Sequence, residues 1–135
     1  MRTRNIGFTL LELLVVVAII GLLAAYVGPR YFSQIGKSEQ TVARAQVEAF
    51  AKALDAYRVD VGSYPATEAG LAALVTRPAD AARWSGPYMP KVLPADPWGR
   101  QYLYRALSAT EYDLVSYGKD GVPGGSGDDA DIANR

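Results

Sequence analysis

Four carboxylates crowd together near the end of this 135-residue chain: Asp120, Asp128, Asp129 and Asp131 lie within twelve residues of one another. The stretch reads Tyr117-Gly-Lys-Asp-Gly-Val-Pro-Gly-Gly-Ser-Gly-Asp-Asp-Ala-Asp-Ile, with five glycines and only Lys119 as a cation. Glycines let backbone carbonyls turn inward and carboxylates supply charge, which suits a hard cation such as Ca2+, a taker of oxygen ligands. The spacing is not that of an EF-hand, and a solvated acidic turn fits the same residues equally well. Phosphate is excluded, because the carboxylates repel anions and no Walker lysine spacing is present. A second lone carboxylate, Glu12, is the only charge between Phe8 and Pro29.

Other chemistries are absent by composition. Without histidine or cysteine the chain lacks the usual zinc, haem and iron–sulfur ligands, the thiol and imidazole catalysts, and any disulfide. No Gly-x-Ser-x-Gly string and no carboxylate cluster outside the terminal loop support a membrane-tethered hydrolase, so the chain reads as no enzyme. Equal numbers of basic and acidic side chains, 14 each, disfavour nucleic acid, which needs a basic surface.

The elements that must position these groups divide into three regions. Phe8 to Pro29 holds 17 hydrophobic residues of 22, and as a helix of roughly 30 Å it crosses a bilayer core. Ahead of it stands a leader, residues 1–7, with Arg2 and Arg4, which favour leaving that end in the cytoplasm, although Arg30 and Lys37 weaken the bias. A secretory signal cleaved after Ala25 fits poorly, since the apolar run is too long and Ala24-Ala25 is a weak site. Pro29 either stops this helix or, helped by Gly28, kinks or breaks it. Residues 30–62 form an amphipathic helix with an apolar stripe at Ala43, Val47, Phe50, Leu54, Tyr57 and Val61, read as packing on the chain's own core rather than as a coiled coil. Arg44–Glu48, Glu48–Lys52 and Asp55–Arg58 are spaced to pair along it, and Gly62 suits its C-terminal cap.

Residues 63–135 form the small remainder. Thr67 to Thr76 reads as a short helix, while Gln101–Ala106 and Glu111–Tyr117 alternate and read as an antiparallel hairpin across Leu107–Thr110. So few strands bury little alone, and the long helix must supply the other wall of the core. Leu93-Pro-Ala-Asp-Pro-Trp-Gly99 reads as a rigid turn capped by Asp96, with Trp98 filling the core.

Gly7-Phe8-Thr9-Leu10-Leu11-Glu12 is the most informative string. Thr9-x-x-Glu12 is a capping box. A carboxylate at the centre of a spanning helix costs about 2.5–3.5 kcal/mol on insertion scales and asks for a cationic partner. The short basic leader ending in glycine, then Phe-Thr-Leu-Leu-Glu and an apolar helix, resembles the class III signal of type IV pilins and type II secretion pseudopilins. The resemblance implies cleavage between Gly7 and Phe8 by a prepilin peptidase and N-methylation of Phe8. It places Glu12 where a carboxylate pairs with a neighbouring subunit's terminal amine, an intrachain pair with Phe8 being the competing arrangement. It also makes Gly28-Pro29 a place where the helix kinks or melts within a fibre.

Trp84-Ser-Gly-Pro-Tyr-Met-Pro-Lys-Val-Leu-Pro-Ala-Asp-Pro-Trp-Gly99, Tyr112-Asp-Leu-Val-Ser-Tyr-Gly-Lys-Asp-Gly121 and Asp129-Ala-Asp-Ile132 carry the likeness further. They resemble the major pseudopilins of type II secretion systems, with Arg135 standing where many of those proteins have an aromatic residue. The implied fold is α+β and type IV pilin-like: a long N-terminal helix, membrane-spanning in its first half and amphipathic in its second, packed on a small antiparallel sheet with a C-terminal metal loop at 117–132. The implied cofactor is a structural Ca2+ held by Asp120 and Asp131, by Asp128 or Asp129, and by the backbone carbonyls of Tyr117 and Val122. The implied function is the major subunit of a pseudopilus, a homopolymer that pushes folded exoproteins from the periplasm across the outer membrane. Implied partners are further copies, minor pseudopilins, the prepilin peptidase, the inner-membrane secretion platform with its ATPase, and the exoproteins. The implied location is a single pass in the inner membrane with a periplasmic domain, then the fibre. A type IV pilin or minor pseudopilin for adhesion, motility or DNA uptake is the alternative, disfavoured by the missing disulfide and the acidic loop.

Overall fold

A computed structural model describes residues 7–135; Arg2 and Arg4 of the leader lie outside the described residues. The chain divides into two compact units, the first ending at Gly36 and the second spanning Lys37–Arg135. One helix, α1 (Leu10–Val61), contributes to both.

Within the first unit α1 is apolar all round from Leu13 to Val27. Every large hydrophobic side chain from Phe8 to Ile35 is at least 40% exposed. An 18-residue window of this helix reaches a mean hydropathy of 2.7 with none of it buried. A helix hydrophobic on all faces belongs inside something, whether lipid or protein. Pro29 lies inside α1 and the helix continues past it. The reading of Pro29 as a clean stop is therefore replaced by a helix that tolerates the missing N–H, with Arg30 stacked 4.7 Å from the Tyr26 ring alongside.

In the second unit the apolar stripe becomes one wall of the core. Ala43, Val47, Phe50, Leu54 and Tyr57 are all buried, and they meet Leu74, Ala81, Tyr102, Leu114 and Ile132. Val61 packs at the margin of this cluster. Helix α1 ends where Gly62 takes a φ of +102° and donates its N–H to the Arg58 carbonyl at 2.8 Å, a conformation that glycine adopts without penalty. The side-chain pairs anticipated along α1 do not close: the ion pairs among the described residues are Arg105–Asp113 and Arg135–Asp113. Tyr64 competes for two members of that set. Its hydroxyl donates to Asp55 at 2.7 Å and its ring lies 5.2 Å from the Arg58 guanidinium.

Strands β1 (Leu103–Ala106), β2 (Tyr112–Ser116) and β3 (Ile132–Ala133) form an antiparallel sheet in the order β1-β2-β3. The hairpin matches expectation, with Tyr104 opposite Leu114. Tyr112, Leu114 and Ser116 point inward, as the period of two requires. Strand β3 has only two residues, too few to show alternation in the sequence. The segment read as a helix over Thr67–Thr76 shrinks to a 3-10 helix at Gly70–Leu74, opened by Gly70 at a φ of +59° and anchored by buried Ala73 and Leu74.

Candidate functional site

The N-terminal site is built on the helix start. Gly7 and Phe8 precede α1 in exposed, non-helical chain, and the Phe8 ring is 81% exposed. Thr9 and Glu12 close the capping box: Glu12 Oε2 accepts the Thr9 N–H at 2.8 Å and the Thr9 hydroxyl at 3.1 Å, while Thr9 Oγ1 accepts the Glu12 N–H at 3.2 Å. Glu12 thus satisfies donors that a helix start otherwise leaves free. Its carboxylate also lies four residues after Phe8 in the chain and is the only charge between Phe8 and Pro29.

The acidic loop leaves β2 at Tyr117 and returns at β3. Its ends are drawn together by backbone: Lys119 N–H donates to the Asp128 carbonyl at 3.2 Å. Gly118 and Gly125 are both pressed on the Asp129 backbone, so that a Cβ on either would fall within 2.8 Å of the Asp129 carbonyl oxygen. Asp120 Oδ1 accepts the Val122 N–H at 3.1 Å, and Asp131 Oδ2 accepts the Gly124 N–H at 2.9 Å. Each of these carboxylates therefore spends one oxygen on shaping the loop, and the other oxygen makes no hydrogen bond among the described residues. Gln40 of α1 donates to the Gly127 carbonyl and ties the far side of the loop to the helix. Asp128 and Asp129 sit in a single 3-10 turn, Gly127–Asp129. Among the described residues no three carboxylates converge on one point. The donors fit an oxygen-seeking cation in kind, through two half-free carboxylates and neighbouring carbonyls, but not as a ready cluster of acids.

The loop's root is the turn around Asp96. This carboxylate is buried, and its Oδ1 accepts the N–H groups of Trp98 and Arg100 at 3.2 and 2.7 Å. Its Oδ2 accepts the Ser116 hydroxyl at 2.7 Å, at the end of β2. The expected cap is present and extends into the sheet. Trp98, expected to fill the core, packs only partly buried at its edge, where its indole N–H donates to Glu39 at 3.0 Å. Within the loop itself Lys119 is the one cation in the sequence. Arg100, from outside the loop, is a second one, donating to the carbonyls of Gly118 and Lys119 at 2.9 and 3.2 Å. Neither Arg100 nor Gln40 was legible beforehand, since each acts across a long stretch of chain with no spacing rule.

Comparison with known proteins agrees with these features. Residues 30–135 match the family described as type II secretion system (T2SS), protein G, and residues 2–28 match the prokaryotic N-terminal methylation motif. The chain is 44% identical to the type II secretion system core protein G of Pseudomonas aeruginosa, over 98% of this chain and 96% of that protein. Its identity to the core protein G of Vibrio cholerae is 42%, over 97% and 92%. The crystal structure of the major pseudopilin from the type 2 secretion system of enterohaemorrhagic Escherichia coli is similar, with a TM-score of 0.64 at 32% identity, covering 76% of this chain and 91% of that one. A methylation motif at its start, a long helix on a small antiparallel sheet and a protein G domain over the rest together make this chain a member of the type II secretion system protein G family, the major pseudopilins.

Proposed function

We propose that the chain is the major subunit of a type II secretion pseudopilus and works as a polymer, not as an enzyme. The observation that carries this reading is the first half of α1, apolar on every face and wholly uncovered, directly behind Gly7-Phe8-Thr9-Leu10-Leu11-Glu12. Apolar surface gains roughly 25 cal/mol per Å2 when it leaves water. In the inner membrane lipid covers the helix; in a fibre, copies of the same helix take over. Cleavage between Gly7 and Phe8 turns the amide of Phe8 into an ammonium, and methylation keeps its charge. Glu12 then serves a neighbouring subunit's Phe8 amine, because a desolvated cation and a desolvated carboxylate each need the other. Gly28 and Pro29 are the place where the helix yields when copies pack. The protein domain stands in the periplasm and is driven by the secretion platform, since the chain carries no nucleotide-binding motif. Growth of the fibre, capped by minor pseudopilins, moves folded exoproteins outward.

Processing is tested by expressing the full chain with and without a prepilin peptidase and weighing the intact protein. Loss of residues 1–7 together with gain of one methyl group on Phe8 is expected; an unchanged Met1 terminus in the presence of the peptidase overturns the reading.

The acidic loop we assign to structural Ca2+. Its support is the donor set: Asp120 and Asp131 with a free oxygen each, Asp128 and Asp129 beside them, and the carbonyls of Tyr117 and Val122 in the same loop. The ion supplies the positive charge that offsets these acids. An ion that binds only the folded loop stabilises the fold by linkage. Adding EGTA to the purified chain in detergent is expected to lower the thermal unfolding midpoint, and restoring CaCl2 to raise it again. An unchanged midpoint rules out the structural ion.

A further inference from the structure

We infer that Arg100 is a positioning residue that shapes the first leg of the acidic loop, residues 117–121, without any bound ion. Its backbone is fixed first: Arg100 N–H donates to Asp96 Oδ1 at 2.7 Å, and the Arg100 carbonyl accepts the Asp96 N–H at 2.7 Å. The same carboxylate holds Ser116 through its other oxygen, so the turn is keyed to the last residue of β2, immediately before the loop begins. From that anchor the side chain reaches across to the loop. Nη1 donates to the carbonyls of Gly118 and Lys119, and Nη2 donates a second time to Lys119.

The fit is specific to a planar guanidinium. A Cβ built on Gly121 would lie 2.6 Å from both Cζ and Nε of Arg100 and 2.9 Å from Nη2, so the flat face of the group rests against the bare Cα of Gly121. Gly121 itself has a φ of +70°, a conformation suited to glycine. Arginine offers several N–H donors in one rigid fork, whereas lysine offers a point charge on a flexible stem. Arg100 makes no ion pair with Asp120, Asp128, Asp129 or Asp131 among the described residues. It neutralises carbonyl dipoles at the loop's entrance and leaves the carboxylates unspent. The leg that carries Asp120 and the Tyr117 carbonyl is therefore oriented by the protein's own cation. The inference goes beyond the pseudopilin reading and stands independently of Ca2+.

The test is hydrogen exchange by mass spectrometry on the full chain in detergent, with EGTA throughout so that no divalent ion takes part. In the wild-type chain the N–H groups of Lys119 and Val122, bonded to Asp128 and Asp120, are expected to be protected. Arg100→Ala is expected to speed exchange over 117–122 by about tenfold or more, the range for losing hydrogen bonds from a charged donor. Strands β1 and β2 should keep their protection. Arg100→Lys, which keeps the charge but not the fork, should loosen the same peptide by a smaller factor and guards against a variant that fails to fold. Gly121→Ala supplies an independent arm, since its Cβ displaces the guanidinium. Its effect on 117–122 should be smaller in the Arg100→Lys background than in the wild type. Unchanged exchange over 117–122 in Arg100→Lys and Arg100→Ala overturns the inference, as does an equal effect of Gly121→Ala in both backgrounds.

Discussion

At the scale of single residues, carboxylates do most of the organising, and each does it differently. Glu12 caps the start of α1 through Thr9 and, in the proposed fibre, exchanges those donors for an ammonium. Asp96 is buried and fully engaged by two backbone N–H groups and a hydroxyl, which is what makes a buried carboxylate tolerable. Asp96 was legible as a turn cap because prolines bracket it; its reach to Ser116 was not, because that contact depends on how β2 docks. Tyrosines carry an alkaline pH dependence. The pKa of Tyr102 is raised above its ordinary value of 10.0 by burial and then by the charge of Asp96. That of Tyr104 is raised by burial and then by neighbouring tyrosines. A raised folded-state pKa favours the protonated hydroxyl in the fold, so this stabilisation is complete below pH 10.0 and is lost as pH climbs above it. A thermal unfolding series should fall as pH climbs beyond 10.0, with tyrosinate absorbance appearing as the fold is lost. Tyr104→Phe, which removes the hydroxyl bonded to the Pro65 carbonyl at 2.7 Å, should make the alkaline fall shallower.

At the scale of elements, α1 was the most readable part, for a physical reason: a long periodic pattern repeats the same information every turn. Five of the six stripe positions, Ala43, Val47, Phe50, Leu54 and Tyr57, are buried as the pattern predicts, while Val61 is only partly buried and Ala53 joins the face beside Leu54. The hairpin was readable from alternation and its polar turn. Short elements were not. Strand β3 owes its existence to pairing with Val115 and Ser116, and the 3-10 turn at Gly70–Leu74 to a glycine at positive φ. Pairs expected along the exposed face of α1 failed because surface ion pairs contribute little and Tyr64 offers Asp55 and Arg58 better partners. The burial of the stripe gives a direct prediction. Leu54→Ala, at a fully buried position facing the sheet's core cluster, should destabilise the domain by about 2–5 kcal/mol. Urea unfolding of the full chain in detergent, followed by far-ultraviolet circular dichroism, reads it out. A loss under about 1 kcal/mol would mean that the stripe is not the core's wall.

At the scale of the whole molecule, the chain is two units with opposite relations to solvent. The unit from Lys37 onward buries its own apolar residues, while the unit ending at Gly36 buries almost none. A mean hydropathy of zero and equal charges conceal that division. Removing residues 1–7 discards Arg2 and Arg4 and leaves 12 basic against 14 acidic side chains. Four of those acids lie in the terminal loop, where the proposed Ca2+ offsets them. Family membership follows from both units together, and the work assigned to the protein follows from the uncovered helix. The central claim is that this helix polymerises through Glu12. It is tested by producing the wild-type chain and Glu12→Ala with a prepilin peptidase and the secretion platform. Sheared fibres are then counted by negative-stain electron microscopy, with membrane-bound subunit measured in parallel. The account predicts abundant fibres from the wild type and few or none from Glu12→Ala, at equal membrane levels. Processed wild-type chain that forms no fibres, or Glu12→Ala fibres as abundant as wild type, would contradict it.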